Sequence, residues 1–156
     1  MMTRIFKITT IVLSVVLFTA CSSDDSNDTN TNNANQVAEA SQVAQSGNWR
    51  ISYFWDTDKD ETSNFAGYEF SFNNDGTLVA TNNTTTVNGT WSVTSSSSSS
   101  SSNDLDFNIS FAVSPDSDFD DLIDDWDVIS VTDTKIELTD VSGGNGGTDF
   151  LTFVKI

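Results

Sequence analysis

From Gly47 onward, large apolar residues recur at every second position, the spacing that places them on one face of a β-strand. In Trp49-Arg50-Ile51-Ser52-Tyr53-Phe54-Trp55 the side chains of Trp49, Ile51, Tyr53 and Trp55 share a face. Tyr68-Glu69-Phe70-Ser71-Phe72 alternates cleanly, and Asn74-Asp75-Gly76 behind it predicts a tight hairpin, because Gly76 accepts the positive φ such a turn demands. Thr77–Thr81 forms the return strand, and Val87, Gly89, Trp91 and Val93 line the next. The most regular alternation is Leu105, Phe107, Ile109, Phe111, Val113. Trp126–Thr132, Lys135–Thr139 and Thr148–Lys155 bring the predicted strands to eight. A meander of short strands closes on itself because closure removes unpaired edges, so the expected fold is all-β, an eight-stranded up-and-down antiparallel barrel. One helical pattern interrupts it: Phe119, Leu122, Ile123 and Trp126 are spaced i, i+3, i+4, i+7, with Ser114 as N-cap and Pro115 at the first helical position.

Ahead of the strands the pattern changes twice. Residues 1–20 have a basic start, Arg4 and Lys7, then the apolar run Ile11–Phe18, too short to span a bilayer, and small residues before Cys21. Leu17-Phe18-Thr19-Ala20-Cys21 resembles a lipobox, with Phe18 where an aliphatic residue is usual. The resemblance is to bacterial lipoproteins. It implies cleavage after Ala20 and lipid attachment at Cys21, with several acyl chains making a stable membrane anchor. Ser22-Ser23-Asp24-Asp25 is similar to the tag that sends some lipoproteins to the outer face of the outer membrane, which implies an outer-membrane location facing the cell exterior. Residues 22–35 are Ser, Asp, Asn and Thr with a single Ala34, too polar to offset the entropy of ordering. Residues 21–46 therefore read as lipidated cysteine and disordered tether, with one short helical stretch over 36–45 from Val37, Ala40, Val43 and Ala44. Residues 47–156 read as the barrel domain.

Composition removes whole classes of chemistry. Without histidine and with one cysteine, no Ser-His-Asp triad, Cys-His dyad, disulfide or Cys/His zinc site can form. The formal charge is −17, and both basic residues of the leader lie before Cys21 while every acid lies after it. So acidic a chain has no sequence-independent grip on nucleic acid. Ser95–Ser102 is an unbroken serine run and reads as a loop; so does Ser142-Gly143-Gly144-Asn145-Gly146-Gly147, which lacks the Lys and following helix of a phosphate cradle.

The strand motifs carry a second resemblance. Gly47-Asn48-Trp49 looks like the Gly-x-Trp that opens lipocalins. Tyr68-x-Phe70-x-Phe72, Asp75-Gly76-Thr77, Gly89-Thr90-Trp91 and the closing Leu151-Thr152-Phe153-x-Lys155 are similar to the ordered signature of lipocalin-like domains on small bacterial lipoproteins. That family implies a barrel with an apolar interior and fixes no ligand. It also implies a basic residue stacked over the first-strand Trp, and Lys155 is the candidate for that place.

Candidate chemistry is sparse. Asp56-x-Asp58-x-Asp60 has the alternate spacing of a calcium loop, though Glu61 and Gly67 stand where an EF-hand has Gly and Glu, so Ca2+ at Asp56, Asp58 and Asp60 competes with a plain acidic hairpin. Trp49, Tyr53, Tyr68, Phe70 and Trp91 are the candidate contacts for a small apolar ligand, against the simpler role of core packing. The expectation is a non-catalytic, membrane-tethered barrel that binds a small apolar ligand or a cell-surface partner. The alternative is a structural or adhesive surface module, calcium-stabilised or not, with no pocket.

Overall fold

The computed structural model describes residues 28–95, 105–141 and 147–156. The leader, Cys21, the Ser22–Asp25 segment, nearly all of the serine run and most of the glycine-rich loop lie outside these residues. The chain forms helix α1 (Asp28–Ala44) and strands β1 (Asn48–Asp56), β2 (Lys59–Asp60), β3 (Glu69–Phe72), β4 (Thr77–Thr81), β5 (Thr86–Ser95), β6 (Leu105–Phe111), β7 (Asp124–Thr132), β8 (Lys135–Val141) and β9 (Thr148–Lys155). Two short 3₁₀ turns, η1 (Thr62–Phe65) and η2 (Asp120–Leu122), precede β3 and β7. Each long strand pairs antiparallel with the next, and β1 pairs with β9, so β1 and β3–β9 make a closed eight-stranded barrel in up-and-down order. The two-residue β2 folds back on the end of β1 as an appendage.

Local chemistry sets these elements as the alternation predicts, with three departures. The first is in β1. Its ladder with β9 shifts register between Ile51 and Tyr53, leaving Ser52 as an extra residue. A bulge of this kind moves every later side chain to the opposite face. Phe54 is therefore fully buried, and Tyr53 and Trp55 leave the face of Trp49 and Ile51 for the outside of the barrel.

The second departure replaces the predicted helix over 119–126. Ser114, Ser117 and Asp120 each accept a backbone N–H three residues on, giving successive tight turns, and Ile123 is extended at φ −82, ψ 104. Asp124 and Trp126 pair with Ile109 and Phe107 of β6. Ladder bonds win here because an α-helix would crowd the Asp-rich run along its surface. Phe119, Leu122 and Trp126 are still buried while Ile123 is exposed, so the apolar spacing marked three of its four residues correctly and the wrong element.

The third is α1, which begins at Asp28, inside the stretch whose composition predicts a disordered tether. Ala40 and Ala44 belong to the barrel core, and Val37 and Val43 pack against it. Tertiary packing supplies what the Asn- and Thr-rich start lacks in helix propensity.

The hairpin at 73–77 closes as expected. Gly76 has φ +81, its N–H bonds to the Asn73 carbonyl at 3.0 Å, and Asp75 accepts the Thr77 N–H at 3.0 Å. In β5, Gly89 allows β6 to pass close by: a Cβ there would lie 2.3 Å from the Ser110 carbonyl oxygen.

Candidate functional site

Strand direction fixes what lies at each end of the barrel. One end gathers α1, the start of β1, the 73–76 hairpin and the end of β9. The other gathers β2, η1, η2 and the loop between β8 and β9.

At the first end, the chemistry is that of a clamp. The Trp49 indole N–H donates to the carbonyl of Ala44, the last residue of α1, at 2.8 Å, satisfying one of the carbonyls a helix end leaves open. Lys155 places its ammonium 5.7 Å from the Trp49 ring centroid and donates to Ser46 Oγ at 2.7 Å. The basic residue over the first-strand Trp is thus where the family resemblance implies it. Gly47 makes room for it, since a Cβ at Gly47 would meet the lysine stem at 2.7 Å.

The barrel interior between the ends is filled. Trp49, Phe54, Phe70, Phe107, Phe153 and Leu151 are among its fully buried side chains. Ring centroids lie 5.3 Å apart for Phe70 and Phe153, 5.3 Å for Phe72 and Phe107, and 5.6 Å for the stacked pair Trp91 and Phe107. Such offset and edge-on spacings are those of close-packed aromatic cores. At the far end Phe65 of η1 and Phe119 before η2 meet edge-on at 5.4 Å and close the mouth, with Phe119 also against Phe111 and Tyr68 at 5.1 Å each.

The structure sets two of the candidate ligand contacts, Trp49 and Phe70, opposite each other across β1 and β3, but in the core, and it does not gather the five around one site. Trp49, Phe70 and Trp91 are core residues, and the Trp91 indole N–H is taken by the Asn73 carbonyl at 3.0 Å. Tyr68 is half-buried at the Phe119 rim, and Tyr53 faces outward, 40% exposed. Grooves run instead along the outside. One of about 290 Å³ lies between α1 and β7, lined by Gln36, Ala40, Leu105 and Val128–Val131. Another of about 430 Å³ opens where β6 and β7 diverge, lined by Thr90, Ser92, Asn108, Ile123, Asp124 and Asp125.

Nor do Asp56, Asp58 and Asp60 converge as a calcium loop. Thr57 turns the chain at φ 52, Asp58 is exposed, and Asp60 accepts the Thr62 N–H at 3.0 Å to start η1. Those Thr62 bonds hold the Asp60 carboxyl below its ordinary range. Asp56 instead meets Glu61 and Asp121, with one carboxylate oxygen from each within 4.8 Å of the others. Glu61 is 7% exposed and forms an ion pair with Lys59, so a cation already stands beside this group. Burial first, then the charges of Glu61 and Asp56, pushes the Asp121 carboxyl upward. Asp121 lies far along the chain from Asp56, and nothing in the spacing of either marks the encounter. Asp124, in the groove beside β6, is pushed up to about 6, chiefly by burial.

No family model matches the chain, and no curated protein matches it. Among solved structures the barrel is similar to the crystal structure of a DUF4847 family protein from Bacteroides vulgatus, at 14% identity and a TM-score of 0.45, covering 72% of this chain and 94% of that one. At that distance the likeness carries no argument about function.

Proposed function

We propose that this chain is a non-catalytic lipoprotein, anchored through Cys21 in the outer membrane and facing the cell exterior, whose barrel is a rigid module that acts through its outer surface. The anchor rests on the lipobox-like residues 17–21, and the outer face on residues 22–25. The observation that supports an outer working surface is the filled interior. A ligand carrier of this size needs side chains withdrawn from the barrel axis, whereas here Phe54, Phe70, Phe107 and Phe153 occupy it and Phe65 with Phe119 stop one end. An apolar ligand inside would have to displace several of these rings, each displacement exposing a large apolar side chain at a cost of about 2–3 kcal/mol.

The test is titration with an environment-sensitive apolar dye, following its emission and the quenching of tryptophan. The reading expects no saturable change. Saturable uptake with quenching of the interior Trp49 and Trp126 would establish a ligand-binding barrel in its place.

A further inference from the structure

We propose that the outer face of β1, β9 and β8 at the acidic end of the barrel is a docking surface for a cationic segment of a partner protein. This rests on the reading that the exterior is the working surface. The face is created by the bulge at Ser52, which turns Tyr53 and Trp55 outward. Register then sets Trp55 opposite Phe150, Phe150 opposite Thr139, Tyr53 opposite Thr152 and Thr148 opposite Val141. Tyr53, Phe150 and Val141 are 40%, 36% and 66% exposed.

The wall formed by β5 and β6 differs, and the apolar side chain that β7 exposes there, Ile129, is aliphatic. Outward positions on β5 and β6 are Asn88, Thr90, Ser92, Asn108 and Ser110. Solvent-facing strand positions need only be polar, as those are; aromatic residues gathered on one exposed sheet face point to a binding surface.

Charge selects the occupant. The acids of 56–61 and 116–121, with Asp124, Asp140 and Asp149, all lie at this end. Asp140 and Asp149 are paired across β8 and β9 on the inward side of the sheet, at the rim of the mouth that Phe150 and Val141 flank from outside. Among the described residues four are basic. Lys59, the one at this end, is paired with Glu61; Lys135 is paired with Glu137; Lys155 sits over Trp49; and Arg50 lies before the bulge. A second copy would bring like charge against like charge, and an anionic lipid or nucleic acid would be repelled. Lysine or arginine side chains, by contrast, gain both from the carboxylates and from the faces of Tyr53 and Trp55. Among the described residues the face is open to solvent, since α1 packs at the opposite end.

The experiment uses the purified full-length chain in detergent and a labelled short lysine/arginine-rich peptide, followed by anisotropy. Trp55 is the most exposed of the four tryptophans, so its emission reports on the same face. Saturable binding with a shift of that emission is expected, weakened about tenfold in the Tyr53→Thr/Phe150→Thr variant with its melting temperature unchanged. Equal affinity in that variant would mean attraction to acidic surface in general, and would overturn the proposal. So would absence of binding, a perturbation of Trp55 by a neutral oligosaccharide such as maltohexaose without one by the peptide, or self-association blocked by the same variant. None of these outcomes bears on whether the interior is filled, which the apolar dye decides separately.

Discussion

At the scale of single residues, burial of charge separates the acids from one another. Most of them decorate the surface, but Asp124 is drawn partly into the β6–β7 groove. Its carboxyl is pushed up to about 6 by burial, with the nearby Asp140 charge adding to the shift and the Asp125 N–H, 2.8 Å from Asp124 Oδ1, opposing it. Between about pH 4 and about pH 6 the folded chain holds a proton that the unfolded chain has released. Protons bound in excess by the folded state mean stability falls as pH rises through that window and stays low above it. Asp124→Asn should remove this slope and raise stability at neutral pH by about 1 kcal/mol, the full effect being reduced by solvent screening of a partly exposed group. Denaturant melts of both proteins across pH 4–7 check it. A parallel pH dependence of the two would show that the Asp124 carboxyl titrates as in water.

The elements show which sequence signals translate into structure. All eight predicted strands form, because alternation is read directly by a sheet with one face on the core. What alternation cannot register is an inserted residue. Trp49-x-Ile51-x-Tyr53-x-Trp55 keeps its period across Ser52, but the backbone does not, and the outward aromatic face is the consequence. The Phe119–Trp126 spacing fits a helix as well as a turn followed by a strand, and only the partner β6 decides between them. For the same reason the meeting of Asp56, Glu61 and Asp121 was not legible: it depends on how η1 and η2 stop the barrel mouth. α1 is held by contacts that no local propensity reports, above all Trp49 to the Ala44 carbonyl and Lys155 at the helix end. The helix has no basic residue in its own last turn, so β9 supplies the cation that complements its dipole. Lys155→Met keeps the stem over Gly47 and removes only the charge. It should cost about 0.5–1 kcal/mol and raise hydrogen exchange in residues 31–44 while leaving the strands protected. Uniform exchange across the chain, or none, would detach the helix from this clamp.

At the scale of the whole molecule, the proposed anchor and the proposed docking face belong to opposite ends of the barrel. α1, which precedes the barrel in the chain, is clamped at one end, and the clustered acids and the outward aromatics lie at the other. A rigid, filled barrel suits this arrangement, because a surface that must meet a partner gains affinity when it loses little freedom on binding. The arrangement requires that Cys21 carry lipid. Cys21→Ala should therefore move the protein from the membrane to the soluble fraction, because a stable anchor takes more than one acyl chain and the described residues contain no helix apolar enough to cross a bilayer. Asp24→Ala/Asp25→Ala should act differently. The protein should stay with the membrane but become protected from protease added to intact cells, if those acids direct it to the outer face. Fractionation and protease shaving of the three strains separate the cases. Membrane retention of Cys21→Ala would remove the anchor. Equal digestion of the wild type and the double Asp variant would keep the anchor and remove the tag.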